Sequence, residues 1–212
     1  MSPYLPDLAC SGFIYGLGLA KALIISVQAR YLLFVTANTL TKFIDPNDRD
    51  SVTILWRWGF CHSPACCNEM DSSIGPLVYC TNGRDGLEIV VLNSGTRTGD
   101  CATSKASCLS SEKCDRPRFI MNGRKVFDFV LDTVPKSVTA LYSKLRCEKR
   151  TPICSSSIKP MLEELRRLLE LPKDKFHITI GHCGNTGSSS IPIASSTAKP
   201  KVNCRAVRAW YL

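Results

Sequence analysis

The sequence predicts an α/β protein whose sheet is covered by helices. The stretch SGFIYGLGLAKALIISV, residues 11–27, is apolar nearly all round, as expected of a central buried helix. YLLFVTA, residues 31–37, follows as a short continuous apolar run typical of a buried strand. A buried helix followed by a buried strand indicates a sheet with helices packed on its faces.

The next elements are strands and a long polar segment. Turn residues around Pro46 and Asn47 place a loop after the first strand. GPLVYC and EIVVL predict two strands joined by the polar turn NGRDG, residues 82–86. Residues 93–118 then become rich in Ser, Thr, Cys, Lys and Asp, which predicts a surface linker. We therefore expect an N-terminal half at 1–98, a linker at 99–117 and a C-terminal half at 118–212.

The C-terminal half is predicted to contain at least three helices, a strand and a glycine-rich turn. FIMNGRKVFDFVLDTVPKSVTALYSKL has helical spacing, and Pro135 either begins a second segment or kinks a single helix. KFHITI predicts a strand that contains His177, and His182 is expected in a loop. GNTGSSSIPIASS predicts a turn and then a helix that tolerates Pro192 near its start.

The helix KPMLEELRRLLEL has the strongest periodic pattern in the chain. Its polar face is expected to pair Glu163 with Arg167. Its apolar face comprises Met161, Leu162, Leu165, Leu168 and Leu169.

Net charge, cysteine content and the length of the apolar stretches indicate the kind of partner and the cellular compartment. The net charge of +9 favours an acidic partner and does not choose between nucleic acid, a membrane surface and a carrier protein. Twelve cysteines without an apolar signal core indicate a reducing cytoplasm. The longest apolar stretch, residues 13–27, contains Lys21 and is shorter than the roughly 18 residues of a membrane span, so no span is predicted.

Cys10 is the candidate nucleophile. It comes just before the predicted buried helix, where unpaired amides and the helix dipole favour a thiolate. The alternative is that it is a small buried apolar residue, which is the more common setting of a free cysteine.

The stretch LWRWGFCHSPACC, residues 55–67, raises the question of a metal site. Zinc sites use four N or S ligands at spacings such as CxxC or HxxxH. The four candidates here form adjacent pairs that fit those spacings poorly, so no metal is predicted. They are Cys61, His62, Cys66 and Cys67.

Six segments spread over most of the chain resemble β-ketoacyl-acyl-carrier-protein synthase III. In order these are LACSGFIYGLGLAKALI, TKFIDPNDRD, SSIGPLVYCTNGRDG, FIMNGRKVFDFVLDTVP, MLEELRRLLELPKDKF and GNTGSSSIPIA. The combination of ACSGF with a downstream GNT distinguishes this family from the related synthases that have a second histidine in place of the asparagine. The resemblance implies a thiolase-like layered α/β/α/β/α fold of two similar halves.

The resemblance also implies a two-stage reaction. Cys10 matches the nucleophile, which takes an acyl group from acyl-CoA as a thioester. Malonyl-acyl-carrier-protein then loses carbon dioxide, and its carbanion attacks that thioester. Asn185 matches the asparagine that hydrogen-bonds the thioester oxygen as it becomes enolate-like. Read without the family, Asn185 in GN is a turn residue.

The chain departs from the family pattern in several places. Counting back from Met161 puts Ser155 at the position of the catalytic histidine, and serine cannot supply an imidazole. The family has strands and helices before the cysteine and a glycine-rich loop with a final strand at its end, so the fold is expected to be incomplete at both ends.

A frameshift is the hypothesis for the opening stretch. Codons that encode LWRWGFCHS also spell FGDGASAT one nucleotide later, close to the small-residue segment that the family has there. We therefore hypothesise that residues from about 56 to 67 are translated out of frame. The same shift allows FVHQA around Ser155 and FGLGI near the end of the chain. The DNA sequence decides this hypothesis.

Three functions are weighed. The first is a synthase III-type acyltransferase of fatty acid or related synthesis, cytoplasmic, with acyl-CoA and acyl carrier protein as substrates and partners, a family-type homodimer, and no bound cofactor. The second is a catalytically inactive remnant of such a gene, and the third, with only charge behind it, is nucleic-acid binding. Basic residues that could meet an acidic carrier protein, or be an ordinary solvated face, are Arg124, Lys125, Lys144, Arg146, Lys149 and Arg150.

Overall fold

A computed structural model describes seven strands and five α-helices in the parts of the chain that it covers. The described residues are 8–37, 39–48, 60–66, 74–92, 94, 117–145, 153–155, 158–178, 180–197 and 209–211. Within these ranges the description covers the backbone alone at 60–66, 153–155, 175, 182–183, 195–197 and 209–211. The predicted linker at 99–117 lies outside the described residues except for its last position.

The first unit consists of a helix and an antiparallel strand pair. Helix α1, Gly12–Ile25, packs on strand β1, Tyr31–Ala37, and β1 pairs antiparallel with β2, Phe60–Cys66. The predicted helix and first strand are thus confirmed, but their burial differs from the prediction. Only one face of α1 is buried, and β1 alternates between inward and exposed positions.

The sequence prediction of a local hairpin is wrong. Strand β3, Ile89–Leu92, pairs antiparallel with β4, Arg118–Met121, while residues 75–80 form neither a helix nor a strand. The polar turn itself forms, since the Arg84 N–H donates to Asn82 Oδ1 over 3.1 Å. The segment around residues 74–80 instead lies against α1, where Lys21 Nζ donates to the Ile74 carbonyl over 2.7 Å.

The long helix of the C-terminal half is continuous. Helix α2, Gly123–Leu145, contains Pro135 within it, which settles the alternative between one helix and two. Asn122 precedes its first residue as the N-cap, and the Asn122 Oδ1 accepts from the Lys125 N–H over 3.3 Å. Helix α3, Lys159–Leu168, packs against α2.

The predicted position of helix α3 is confirmed, but its predicted ion pair and the predicted burial of Leu168 are wrong. Its ion pairs are Glu163 with Arg166 and Glu164 with Arg167, each three residues apart, and not Glu163 with Arg167. Leu168 is 45% exposed, because the helix ends there and the chain turns at Glu170, whose φ is 55°. The main core between α2, α3 and the third sheet comprises Val138, Leu141, Leu162, Leu169, Leu171 and Phe176.

The third sheet is parallel and lies next to the last helix. Strand β5, Ile153–Ser155, is central, with β6, Phe176–Ile178, on one side and β7, Ala209–Tyr211, on the other. The predicted strand at His177 is therefore confirmed. His182 lies in the short helix α4, Ile180–Cys183, and not in a loop. Helix α5, Ser190–Thr197, contacts both β5 and β2.

Candidate active site

Cys10 lies in a short 3₁₀ turn, Ala9–Ser11, which we call the cysteine turn. The turn is closed by the Ser11 side chain, whose Oγ donates to the Leu8 carbonyl over 2.8 Å. It leads directly into α1, so Cys10 precedes the first turn of that helix as predicted. Ala9 has a φ of 47°, a left-handed conformation that is uncommon for alanine and costs on the order of 1–2 kcal/mol.

The ionisation of Cys10 differs from the sequence expectation. Cys10 is half-buried, and loss of hydration raises the pKa of its thiol above the ordinary value. A hydrogen bond from the backbone of Cys10 itself lowers the pKa and offsets only part of this effect. The direction of this pKa shift is opposite to the one that the sequence reasoning expected from the helix terminus.

Asn185 lies between α4 and a second 3₁₀ turn, Gly187–Ser189, which we call the serine turn. Its side-chain Oδ1 accepts from the Gly187 N–H over 2.9 Å and from the Ser190 hydroxyl over 3.3 Å. A backbone N–H can only donate, so the atom facing it must be the amide oxygen. The Asn185 NH₂ group is thereby turned away from Gly187 as the donor end of the side chain.

The glycines around Asn185 have the conformation that the turn needs. Gly184 has a φ of 65° and Gly187 a φ of 62°. Both lie in the left-handed region, which glycine adopts without the steric cost that a side chain brings. The turn that the sequence predicted at GNTG is therefore confirmed.

The serine turn is bound to the N-terminal half by a buried hydrogen bond. Ser189 Oγ lies 2.9 Å from Thr36 Oγ1 on β1 and 3.3 Å from the Thr36 carbonyl oxygen. Both side chains are at most 6% exposed, so this pair is protected from competition by water. It links residues that are 153 positions apart in sequence.

The cysteine turn and the serine turn contact each other. Ser188 lies beside the start of α1, and a Cβ placed on Gly12 would be 3.7 Å from the Ser188 Cβ. Cys10 and Asn185 are thus carried by two adjoining turns, although they are far apart in sequence. Cys10 and Asn185 were both predicted from the sequence, whereas Thr36, Ser189 and Ser190 were not. The run of three serines ahead of a helix was the available signal, since serine is favoured at helix starts.

Ser155 ends strand β5, and only its backbone is described. It pairs with Ile178 on one neighbouring strand and with Tyr211 on the other. Helix α5, which begins at Ser190, contacts β5, so the strand that ends at Ser155 adjoins the element that follows Asn185. His177 pairs with Cys154, one position before Ser155.

The candidate basic residues have local partners where they are described. Lys125 forms an ion pair with Glu88 over 2.8 Å, and Lys144 donates to the Leu77 carbonyl over 3.3 Å. Arg124 is exposed at the start of α2. Arg146, Lys149 and Arg150 lie outside the described residues.

The metal question concerns residues whose side chains are not described. Cys61, His62 and Cys66 are placed by their backbone alone in β2, and Cys67 lies outside the described residues. Among the side chains that are described, no group of three or more His, Cys, Asp or Glu could hold a metal ion. In the described parts of the chain, no helix is both long enough and apolar enough to cross a membrane.

Family profiles match both ends of the described fold. The profile for 3-oxoacyl-[acyl-carrier-protein] synthase III matches residues 7–55, and the profile for the C terminal part of the same synthase matches residues 152–205. The first match contains Cys10, and the second contains Ser155 and Asn185.

Curated relatives and a solved structure extend the match over most of the chain. The β-ketoacyl-[acyl-carrier-protein] synthase III of Clostridium beijerinckii is 30% identical over 197 residues, covering 89% of this chain and 56% of the relative. That of Clostridium tetani is 27% identical over 197 residues, covering 91% and 58%. A crystal structure of 3-oxoacyl-(acyl-carrier protein) synthase from Burkholderia xenovorans is 25% identical with a TM-score of 0.76, covering 92% of this chain and 55% of that one.

The fold and the two adjoining turns define a thiolase-like α/β protein, as the sequence predicted. Within that class, the chain is similar to β-ketoacyl-acyl-carrier-protein synthase III, through both family profiles and the curated relatives. It spans about 56–58% of the length of the curated relatives it matches.

Proposed function

We propose that the chain is an acyltransferase of the β-ketoacyl-acyl-carrier-protein synthase III type. The observation that carries this proposal is the contact between the cysteine turn and the serine turn, which places a thiol and an oriented amide on adjoining elements. A nucleophile and a fixed hydrogen-bond donor are the two groups that acyl transfer to and from a thioester needs. The names of the relatives supply the reaction class.

In the first proposed stage, Cys10 takes an acyl group from acyl-CoA. The Cys10 sulfur attacks the thioester carbonyl, the bond between that carbonyl and the CoA sulfur breaks, and CoA leaves as its thiol with the proton that Cys10 gives up. Because burial raises the pKa of Cys10, the free chain holds a neutral thiol, and proton loss has to accompany the attack. We therefore expect this stage to accelerate as the pH rises.

In the second proposed stage, malonyl-acyl-carrier-protein loses carbon dioxide and its carbanion attacks the acyl carbonyl on Cys10. The bond between that carbonyl and the Cys10 sulfur breaks, so the β-ketoacyl product leaves on the carrier protein and the Cys10 thiolate is restored and takes up a proton. The NH₂ group of Asn185 would donate to the malonyl thioester oxygen as negative charge develops there. Ser155 stands at the position matched to the family's histidine, and a hydroxyl cannot provide the imidazole's charge or proton at neutral pH. We therefore expect acyl transfer to Cys10 to exceed condensation in this chain.

The second candidate is an inactive remnant of such a synthase, and Ser155 is the observation that favours it. The two candidates differ in one respect that can be measured, which is whether Cys10 accepts an acyl group at all.

The remaining assignments, which we propose with the function, are an acyl carrier protein as partner, a homodimer, a cytoplasmic location, no bound cofactor and no nucleic-acid binding.

Intact-protein mass spectrometry after incubation with acetyl-CoA tests the proposed acyl transfer. We expect one acetyl group per chain, lost on treatment with neutral hydroxylamine because it is a thioester. Cys10→Ala should abolish the adduct. Cys80→Ala is the matched control, since Cys80 is an exposed free cysteine that has no role in the proposal. An adduct that persists in Cys10→Ala, or none in the unaltered chain, contradicts the proposed acyl transfer.

A further inference from the structure

We propose that Ser190 is a positioning residue that fixes the Asn185 side-chain amide in the orientation the second stage requires. The catalytic meaning of this inference rests on the proposed function. The positioning itself rests on hydrogen bonds of buried groups around the serine turn, and these can be tested without any activity.

The Ser190 hydroxyl makes three short contacts. It accepts from the Thr186 N–H over 2.8 Å, lies 3.0 Å from Thr186 Oγ1, and lies 3.3 Å from Asn185 Oδ1. A serine hydroxyl has one proton and two lone pairs. Asn185 Oδ1 can only accept, so the Ser190 proton goes to it, and the Thr186 hydroxyl donates to the remaining lone pair of Ser190.

The one proton and both lone pairs of the Ser190 hydroxyl therefore all have hydrogen-bond partners. Ser190 is 2% exposed and Thr186 is 5% exposed, so water does not replace these bonds readily. A chain of hydrogen bonds in such a setting strengthens each member by polarisation. The path runs from Thr186 through Ser190 to Asn185 Oδ1.

Asn185 Oδ1 is consequently held from two sides. The Gly187 N–H contacts it within the turn, and the Ser190 hydroxyl contacts it from the first residue of α5. Two donors at different angles fix both the position of the oxygen and the plane of the amide. With Ser190 removed, one donor remains, and the amide can swing about it.

The chain contains a matched control in the neighbouring residue. Ser189 is 0% exposed and also loses one buried hydroxyl on substitution by alanine. Its hydroxyl bonds to the Thr36 side chain and carbonyl on β1. Ser189→Ala and Ser190→Ala therefore remove the same chemical group at comparable burial from different networks.

Nuclear magnetic resonance of the side-chain NH₂ of Asn185 tests the inference. The signal is assigned in ¹⁵N-labelled chain by its loss in Asn185→Asp. In the unaltered chain we expect an order parameter near the ~0.85 of rigid backbone, falling below about 0.6 in Ser190→Ala. Ser190→Thr, which keeps the hydroxyl, should restore it, and Ser189→Ala should leave it unchanged. An Asn185 amide that stays equally ordered in Ser190→Ala overturns the inference.

A second variant guards against misfolding of Ser190→Ala, and a separate measurement distinguishes failure of this inference from failure of the proposed function. If Ser190→Ala does not fold, Ser190→Cys gives the same comparison, because it preserves shape but donates only weakly. Acetylation of Cys10 in the unaltered chain is measured separately. Its absence would contradict the proposed function and leave the ordering of Asn185 as the test of positioning.

Discussion

At the residue scale, the cysteine turn combines a strained backbone with a half-buried cysteine. Ala9 holds a left-handed conformation immediately before Cys10, and Cys10 is half-buried where the cysteine turn meets the serine turn. Strain of this kind persists only where the surrounding packing imposes it. Loss of hydration at this position raises the pKa of the Cys10 thiol.

The raised pKa of Cys10 predicts how stability depends on pH. A folded-state pKa above the unfolded value favours the neutral thiol in the folded state, so its contribution to stability is complete below the unfolded pKa of about 8.5. The contribution is lost as the pH rises through the higher folded pKa. Urea unfolding from pH 7 to pH 10 should show the unfolding free energy falling more steeply than in Cys10→Ser.

Comparison with Cys10→Ser separates this effect from the tyrosines. Burial also raises the pKa values of Tyr79 and Tyr142, which titrate in the same alkaline range. Those residues are common to both chains, so the difference between the two profiles reports Cys10 alone. Parallel profiles would contradict the raised pKa.

Val27 offers a second prediction at the residue scale. It follows α1 with a φ of 59°, a conformation that is costly for a β-branched residue, and its side chain is 87% exposed. Val27→Gly should raise the unfolding free energy by about 1 kcal/mol, because glycine adopts this φ without strain and no buried contact is lost. Ile25→Gly, at an exposed position within the helix, should instead lower it by about 1 kcal/mol.

At the element scale, α1 approaches β1 closely through a single glycine. A Cβ on Gly16 would overlap the ring of Phe34, and that ring stacks on Phe13 with 5.5 Å between ring centroids. Gly16→Ala should therefore lower the unfolding free energy by roughly 1–3 kcal/mol, the usual cost of overpacking. Gly12→Ala is the matched control in the same helix, since its Cβ would find ordinary contact. Equal melting temperatures for both variants would argue against this packing.

The elements show which parts of the fold the sequence could predict. Helix α3 was predicted from its apolar spacing, but Leu168 was placed in the core because nothing in the pattern shows that the chain turns at Glu170. The partner of β3 was missed because β4 lies beyond a long polar segment, and local reasoning joined the nearest apolar runs. Periodicity reports local structure, whereas pairing over many residues depends on the whole fold.

Like the fold, the candidate site could be predicted only in part from the sequence. Cys10 and Asn185 followed from short motifs and the family resemblance, and so did the turn at GNTG. The ionisation of Cys10 was not predictable, because a helix start favours thiolate while packing of a distant turn against it removes water. The bond between Thr36 and Ser189 joins residues whose proximity only the folded chain reveals.

At the scale of the whole molecule, helix α5 connects the two halves. It contacts β2 of the first sheet and β5 of the third, and its residues Ile191 and Ala194 are fully buried. Cys10 lies in the predicted N-terminal half, and Asn185 lies in the predicted C-terminal half. The chain spans about 56–58% of the length of its curated relatives.

Ser155 gives a prediction at this scale. If it occupies the position of the family's histidine, Ser155→His should raise release of carbon dioxide from malonyl-acyl-carrier-protein at least roughly tenfold, a part of the ~10²–10⁴ that a placed acid or base contributes. Release of ¹⁴CO₂ measures it. Ser157→His is the control, since it adds the same side chain two residues away. Equal rates in the two variants would show that Ser155 does not stand at the histidine position.

The central claim is that Cys10 is the acyl acceptor of a synthase III-type site. The most direct measurement is the rate of acetyl transfer from acetyl-CoA to the Cys10 peptide, followed by mass spectrometry between pH 6.5 and pH 9. We predict one acetyl group per chain, confined to that peptide, with a rate that rises about tenfold per pH unit because the thiol has a raised pKa. No transfer to Cys10 at any pH, or acetylation spread over Cys80 and other residues, would contradict the claim.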